Sequence, residues 1–349
     1  MNTTNESAVD GKHLSDAQLK AVSIISLLTS GTSCLGSFSV LLCSMYYKRV
    51  FYPEIFPTFH LAVADVAASL SLLISSIIFM SDATGFPGAD GPCDYFMTLV
   101  TSLYTSAFLL TLAYAMEALF RFRRRLSDAL NLENLQVRVM SSRWMLLIYI
   151  SAWVFPLGMA TVLMIVMRKL NNKDASGGFT RIYPQQCSSC FADFRFNEEY
   201  CWEEVENGKY WHYVIRLIFL LPLMVVMAAN LGLYVLINQA FKQVAMRRGL
   251  LSYHQRQEES VLNRKAALYQ TVFFICWFPS IILGIASFTE NYDMESYFWL
   301  VVLQALLGPL QGICNSFLYG WRRDSFRRAL SERSSLLSAN RATAIADSF

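Results

Sequence analysis

The chain has 349 residues, of which 54% are hydrophobic and only 16% charged, and its formal net charge is +3. Soluble domains carry about 25% charged residues, so this composition excludes an ordinary globular fold. It also leaves nucleic acid outside the expected partners and makes membrane lipid the expected environment.

A bilayer core about 30 Å thick needs ~20 mostly apolar residues to cross it as a helix. Seven runs meet this length, over 21–46, 57–81, 94–120, 143–167, 211–240, 265–289 and 297–320. The predicted class is therefore all-α, an integral membrane bundle of seven helices. Residues 1–20 read as a short extracellular N-terminus, 21–320 as the bundle, and 321–330 as a short amphipathic eighth helix on the membrane surface. Residues 331–349 read as a disordered cytoplasmic tail. The first twenty residues are polar, so the first span is expected to act as its own targeting signal. Asn2-Thr3-Thr4 and Asn5-Glu6-Ser7 are glycosylation sequons, usable on the lumenal side.

In chain order, the second run carries Asp65 within Leu61-Ala62-Val63-Ala64-Asp65, and the third carries Glu117 near its inner end. A charge at mid-membrane costs about 2.5–3.5 kcal/mol on insertion scales. Asp65 has two readings: a cation or proton site that biases two helix arrangements, or a carboxyl held by Asn315 and nearby serines. Glu117 precedes Arg121 by one turn, and the expected relation is an i,i+4 ion pair. The fourth, fifth and sixth runs contain Pro156, Pro222 and Pro279. Bundled membrane helices tolerate proline because neighbours re-satisfy the freed carbonyls. Arg216 enters the fifth run from outside. It either clamps an acidic ligand through its planar fork or snorkels to the outer headgroups. Asn230 and Asn315 are uncharged and still need partners.

Charge sets the orientation. With the N-terminus outside, 20 of the 29 Lys and Arg fall in cytoplasmic segments and 8 in outer ones. The positive-inside rule then places the N-terminus out and the C-terminus in. Of the eight cysteines, Cys93, Cys187, Cys190 and Cys201 fall in outer segments. Four cysteines on the oxidising side read as one or two disulfides, with three pairings open.

Phe273-Phe274-Ile275-Cys276-Trp277-Phe278-Pro279 resembles the Phe-x-x-Cys-Trp-x-Pro pattern of the sixth helix in rhodopsin-like G-protein-coupled receptors. Leu61 to Asp65 is similar to the second-helix pattern around that superfamily's sodium-site aspartate. Asn315-Ser316-Phe317-Leu318-Tyr319 resembles the seventh-helix Asn-Pro-x-x-Tyr motif, with serine for proline. Trp153 matches the fourth-helix tryptophan, and Cys93 stands where the superfamily's disulfide begins. Cys93–Cys201 is the expected bridge, with Cys187–Cys190 as a local one. Departures accompany the matches. Ala118 follows Glu117 where an arginine is usual, and Ser37 replaces the usual first-helix Asn. Pro222 and Asn230, with Cys201-Trp202, are closer to secretin-like and cAMP-receptor-like groups. The stretch from Leu303-Gln304 to Tyr319-Gly320-Trp321 resembles the receptor-like transmembrane protein 116 group.

The resemblance implies a plasma-membrane receptor that signals to heterotrimeric G proteins through its cytoplasmic loops. Its extracellular ligand would sit near Arg216, Trp277 and Gln304. Asp65, Glu117, Arg121, Asn230, Phe273, Pro279, Asn315 and Tyr319 would form the polar and switching core; no cofactor is expected beyond the sodium ion that the resemblance allows beside Asp65. A non-signalling seven-helix scaffold is the alternative, because Ala118 and Ser316 break the pattern. A transporter ranks third, since no internal symmetry is visible. The four histidines are scattered and the seventh run has no lysine for a Schiff base, so catalysis is not expected.

Overall fold

A computed structural model describes residues 15–46, 56–82, 90–129, 142–173, 208–246, 253–289 and 295–319. We label the helices α1 (Asp16–Tyr46), α2 (Phe56–Asp82), α3 (Asp90–Ala129), α4 (Ser142–Lys173), α5 (Gly208–Met246) and α6 (Tyr253–Ala286). The last, α7, is Phe298–Tyr319. All seven are long and apolar enough to span a bilayer, and no strand occurs among the described residues. The predicted eighth helix at 321–330, the tail and the sequons at Asn2 and Asn5 lie outside those residues.

Helix ends run further than the apolar runs. The third helix continues to Ala129 and the sixth begins at Tyr253. The hydrocarbon requirement ends at the interface, but the helical hydrogen-bond ladder continues through the charged turns beyond it. The start of α1 is fixed locally. Ser15 N–H donates to Gln18 Oε1 at 2.8 Å and Gln18 N–H donates to Ser15 Oγ at 3.3 Å. This reciprocal capping box satisfies amides that the helix cannot.

The third helix is the axis of the bundle. It packs against α2, α4, α5 and α6 and is the most buried span, whereas α4 is the least. Phe108, at its middle, is fully buried and meets Phe219, Phe273 and Trp277 edge-on with ring centroids 5.9, 5.6 and 4.5 Å apart. Leu35, Val154, Leu221 and Phe317 point their apolar side chains outward, where lipid is the solvent.

Lipid tails are as apolar as leucine, so close packing and polar contacts hold such helices together. The first helix shows both. A Cβ at Gly36 would sit 3.0 Å from Ile313 Cα, so this glycine sets the approach of α1 to α7. About two turns toward the helix N-terminus, Thr29 Oγ1 lies 3.0 Å from the Ala305 carbonyl of α7 and 2.9 Å from the Ile25 carbonyl of its own helix. Pro309 stands four residues after Ala305 inside α7, and having no N–H it leaves that carbonyl without its helical donor. Ile25 keeps its own donor. The Thr29 hydroxyl therefore does most for Ala305, across the α1–α7 boundary.

Two substitutions test this seam. Gly36→Leu should lower the thermal unfolding temperature of the detergent-purified protein strongly, since overpacking typically costs about 1–3 kcal/mol. Thr29→Val should lower it less, by the ~1 kcal/mol of a lost hydrogen bond, and Thr29→Ser should restore most of that.

Candidate functional site

Three regions follow one another along the bundle, beginning in the half that holds the N-terminal end of α1. The first is a cavity lined by Val22 and Ser26 of α1, Leu72 of α2, Tyr104 of α3, Phe219 of α5 and Trp277 of α6. Val301, Gln304, Ala305, Gly308 and Pro309 of α7 close it. The predicted residues Trp277 and Gln304 thus both line one cavity. Arg216 lies in α5, but its side chain is outside the described residues.

Trp277 forms the floor. Its ring lies edge-on to Tyr104, with centroids 4.9 Å apart, and its indole N–H donates to Gln311 Oε1 of α7. An indole carries a large apolar body and one polar handle, and here the handle ties α6 to α7. Pro279, two residues on, removes a backbone donor from the same stretch of α6, so the tie and the helix's weakest point adjoin. Phe273 is buried one turn inward, against Phe108.

The second region is polar. Asn315 Nδ2 donates to Asp65 Oδ2 at 2.9 Å, joining α7 to α2, and both residues are buried. Ser33 and Ser37 of α1 are buried with no hydrogen-bond partner for either hydroxyl. Both hydroxyls crowd the position a Cβ would take at Gly312, and Asp65 Cβ lies 3.2 Å from that same point. Glycine there leaves room for three oxygen-bearing side chains to converge. Nearer the inner end, Ser44 Oγ of α1 lies 3.5 Å from the Tyr319 hydroxyl.

The third region lies between α2, α3 and α4. The Tyr149 hydroxyl donates to Glu117 Oε2 at 2.6 Å, a short charge-assisted bond. Around it, His60 stacks at 5.5 Å from the Tyr149 ring and accepts from Trp153 Nε1 at 3.4 Å. The Arg121 side chain, the predicted partner of Glu117, is outside the described residues. Next to Glu117, Ala118 is buried in an apolar cluster with Leu119 and Ile237, against which Leu233 packs.

Asn230 is fully buried on α5, with both side-chain polar atoms lacking a partner, while its backbone carbonyl accepts from Gln270 Nε2 at 3.2 Å. The predicted disulfide lies outside what is described: Cys93 is within α3 but its side chain is not described, and Cys187, Cys190 and Cys201 fall between α4 and α5. Sequence reasoning missed Ser33, Tyr104, Tyr149, Gln270, Gln311 and Gly312. Most are uncharged residues in apolar runs, and only the spacing of Gln304, Gln311 and Asn315 on one face of α7 offered a signal.

Seven spans, a sixth helix with Pro279 inside it two residues after Trp277, and a polar core joining the second and seventh helices define a seven-helix membrane protein of receptor-like build. The chain belongs to the transmembrane protein 116 family, which it matches over residues 19–344. It is also similar to cyclic AMP receptor-like protein C of Dictyostelium discoideum, 29% identical over 104 residues, 30% of this chain and 28% of that one. Cyclic AMP receptor-like protein A of the same organism is 32% identical over 107 residues, 31% and 26% of the two chains. Somatostatin receptor type 4 of Rattus norvegicus is 29% identical over 119 residues, 34% and 28%. The matches thus span about a quarter of these relatives' own length, from 26% to 28%.

Tyr149→Phe should leave Glu117 short of a charge-assisted bond worth about 1.5–3 kcal/mol. The expected result is a lower unfolding temperature for Tyr149→Phe that is not lowered further in the Tyr149→Phe, Glu117→Gln double variant. Additive losses would show that the two side chains act separately.

Proposed function

We propose that this protein is a receptor. An extracellular ligand enters the cavity above Trp277, and the inner half of α6 moves about Pro279 to engage a heterotrimeric G protein through the cytoplasmic loops. The plasma membrane is its place, with the N-terminus outside and the C-terminus inside, as its basic residues favour. One observation carries the reading: Trp277 belongs at once to the cavity wall and to a hydrogen bond with α7. A ligand that binds better to one packing of this indole shifts the balance between two helix arrangements, and it shifts it only by that difference in affinity.

A sodium ion beside Asp65 belongs to the same proposal, and the residues present fit it. Hard cations take oxygen ligands, and Ser33 and Ser37 bring hydroxyls without hydrogen-bond partners to the Asp65 side of Gly312. The ion would supply the positive charge that the Asp65 carboxylate otherwise lacks. The chain's own part is to hold α1, α2 and α7 together around that point through the Asn315–Asp65 bond.

A second reading, a seven-helix scaffold that does not signal, is favoured by Ala118. Where rhodopsin-like receptors place an arginine, this chain packs a methyl group among Leu119, Leu233 and Ile237. A cell assay separates the two. The full chain is expressed with each class of G-protein α-subunit, and ligand-independent second-messenger output is measured. The receptor reading expects output through at least one class, changed several-fold by Trp277→Ala at equal surface expression. Silence through every class favours the scaffold.

A further inference from the structure

We propose that Cys276 of α6 and Cys314 of α7 are a redox pair, which hydrogen peroxide converts to a disulfide that staples the two helices together. The chemistry of the pair does not depend on the receptor reading.

The placement of the two sulfurs carries the argument. Cys276 is buried, Cys314 is half-buried, and both carry free thiols. The two side chains share a hydrogen bond across the α6–α7 boundary. Contacts on either side hold this register. Trp277, the next residue on α6, donates its indole N–H to Gln311, three residues before Cys314. A Cβ at Gly308, one turn earlier on α7, would lie 3.8 Å from the same indole. Beyond Cys314, Asn315 is bonded to Asp65 of α2. The backbone near each sulfur is therefore held before any reaction, and two oriented groups on one molecule react far faster than two free ones. The other described cysteines lack this arrangement. Cys34 and Cys43 both lie on α1, about 13 Å apart along its axis.

An accessible sulfur beside a second one that resolves it is the make-up of a thiol switch. Cys314 is the more exposed and reacts first. Its sulfur attacks one peroxide oxygen, the O–O bond breaks, and the thiol proton leaves with the departing oxygen as water. Cys314 is then a sulfenic acid. The Cys276 sulfur attacks the Cys314 sulfur, the S–O bond breaks, and the Cys276 proton leaves with the hydroxyl as a second water. Two thiols are oxidised by two electrons in all, and one peroxide is reduced to two waters. Hydrogen peroxide is small and uncharged, so it enters hydrocarbon where an ionic oxidant pays the cost of lost hydration. A dithiol reverses the link by thiol–disulfide exchange. Cys276 stands three residues before Pro279, in the half of α6 that the proposed receptor moves. There the staple would restrain that half against α7, beside the Trp277–Gln311 bond.

The test uses the full chain in phosphatidylcholine nanodiscs and graded hydrogen peroxide. Remaining thiols are capped with N-ethylmaleimide, and chymotryptic peptides are read by mass spectrometry. The peptides carrying Cys276 and Cys314 should appear joined, at peroxide concentrations at least tenfold below those that halve the capping of Cys34 or Cys43, since those two have no oriented partner. A phosphine reductant should separate them. In Cys276→Ser, Cys314 should instead accumulate as a sulfenic acid that dimedone traps. Three outcomes overturn the proposal: Cys276 and Cys314 both still capped when Cys34 and Cys43 are oxidised; either of the pair joined to a different cysteine; and Cys314 carried on to sulfinic acid while Cys276 remains a thiol. If Cys276→Ser does not fold, the joined peptides of the parent protein decide alone. A joined pair in a chain that activates no G protein supports this inference while contradicting the receptor reading.

Discussion

A carbonyl that loses its helical donor inside hydrocarbon has no water to turn to, and this necessity arranges the bundle. Pro309 deprives Ala305 of its donor, and the Thr29 hydroxyl of α1 stands 3.0 Å away. The same rule acts on side chains. Asp65 is met by Asn315, Trp277 by Gln311 and Glu117 by Tyr149. Each tie crosses between helices, so satisfying polar groups and fixing helix positions become one process. Small residues make it possible. Gly36 and Gly312 let α7 come close enough to α1 for serine and threonine hydroxyls to face it.

In the proposed receptor, the ties would divide the molecule into a stiff part and a part that moves. The first helix, α2 and α7 are joined by the Thr29–Ala305 contact and by the Asn315–Asp65 bond. The sixth helix is held to α7 at Trp277, and just beyond that point Pro279 interrupts its ladder. The same helix is tied to α5 where Gln270 Nε2 donates to the Asn230 carbonyl at 3.2 Å, and an interface that repacks in discrete steps can relay a small change at a cavity. At the inner end, the departure from rhodopsin-like receptors has a structural counterpart. Glu117 turns to Tyr149 of α4, and Ala118 fills an apolar contact between α3 and α5. Whatever restrains the inner ends here does so without an arginine at position 118.

The seven spans were legible because hydrocarbon thickness and composition leave few choices, and the Phe-x-x-Cys-Trp-x-Pro stretch placed Trp277 and Pro279 within α6. The Asp65–Asn315 contact was legible too, since two buried polar groups in otherwise apolar runs need each other. Partners drawn from ordinary residues were not. Tyr149 lies 32 positions from Glu117, and nothing local distinguishes it from other tyrosines at a membrane interface. The expectation for Glu117 looked one turn ahead to Arg121, whose side chain lies outside the described residues; Tyr149 is the partner that this reading did not offer. Helix ends were drawn at the limit of the apolar runs, although α3 and α6 continue beyond them.

The central claim is that the Trp277–Gln311 bond holds α6 in one of two arrangements about Pro279. Spin labels at Arg123 on α3 and Thr271 on α6, both exposed, report the distance between the inner halves of these helices in nanodiscs. Gln311→Leu removes the acceptor and keeps the bulk. The account predicts a second, longer distance population in Gln311→Leu that is minor in the parent protein. Identical distributions in the two proteins would contradict it.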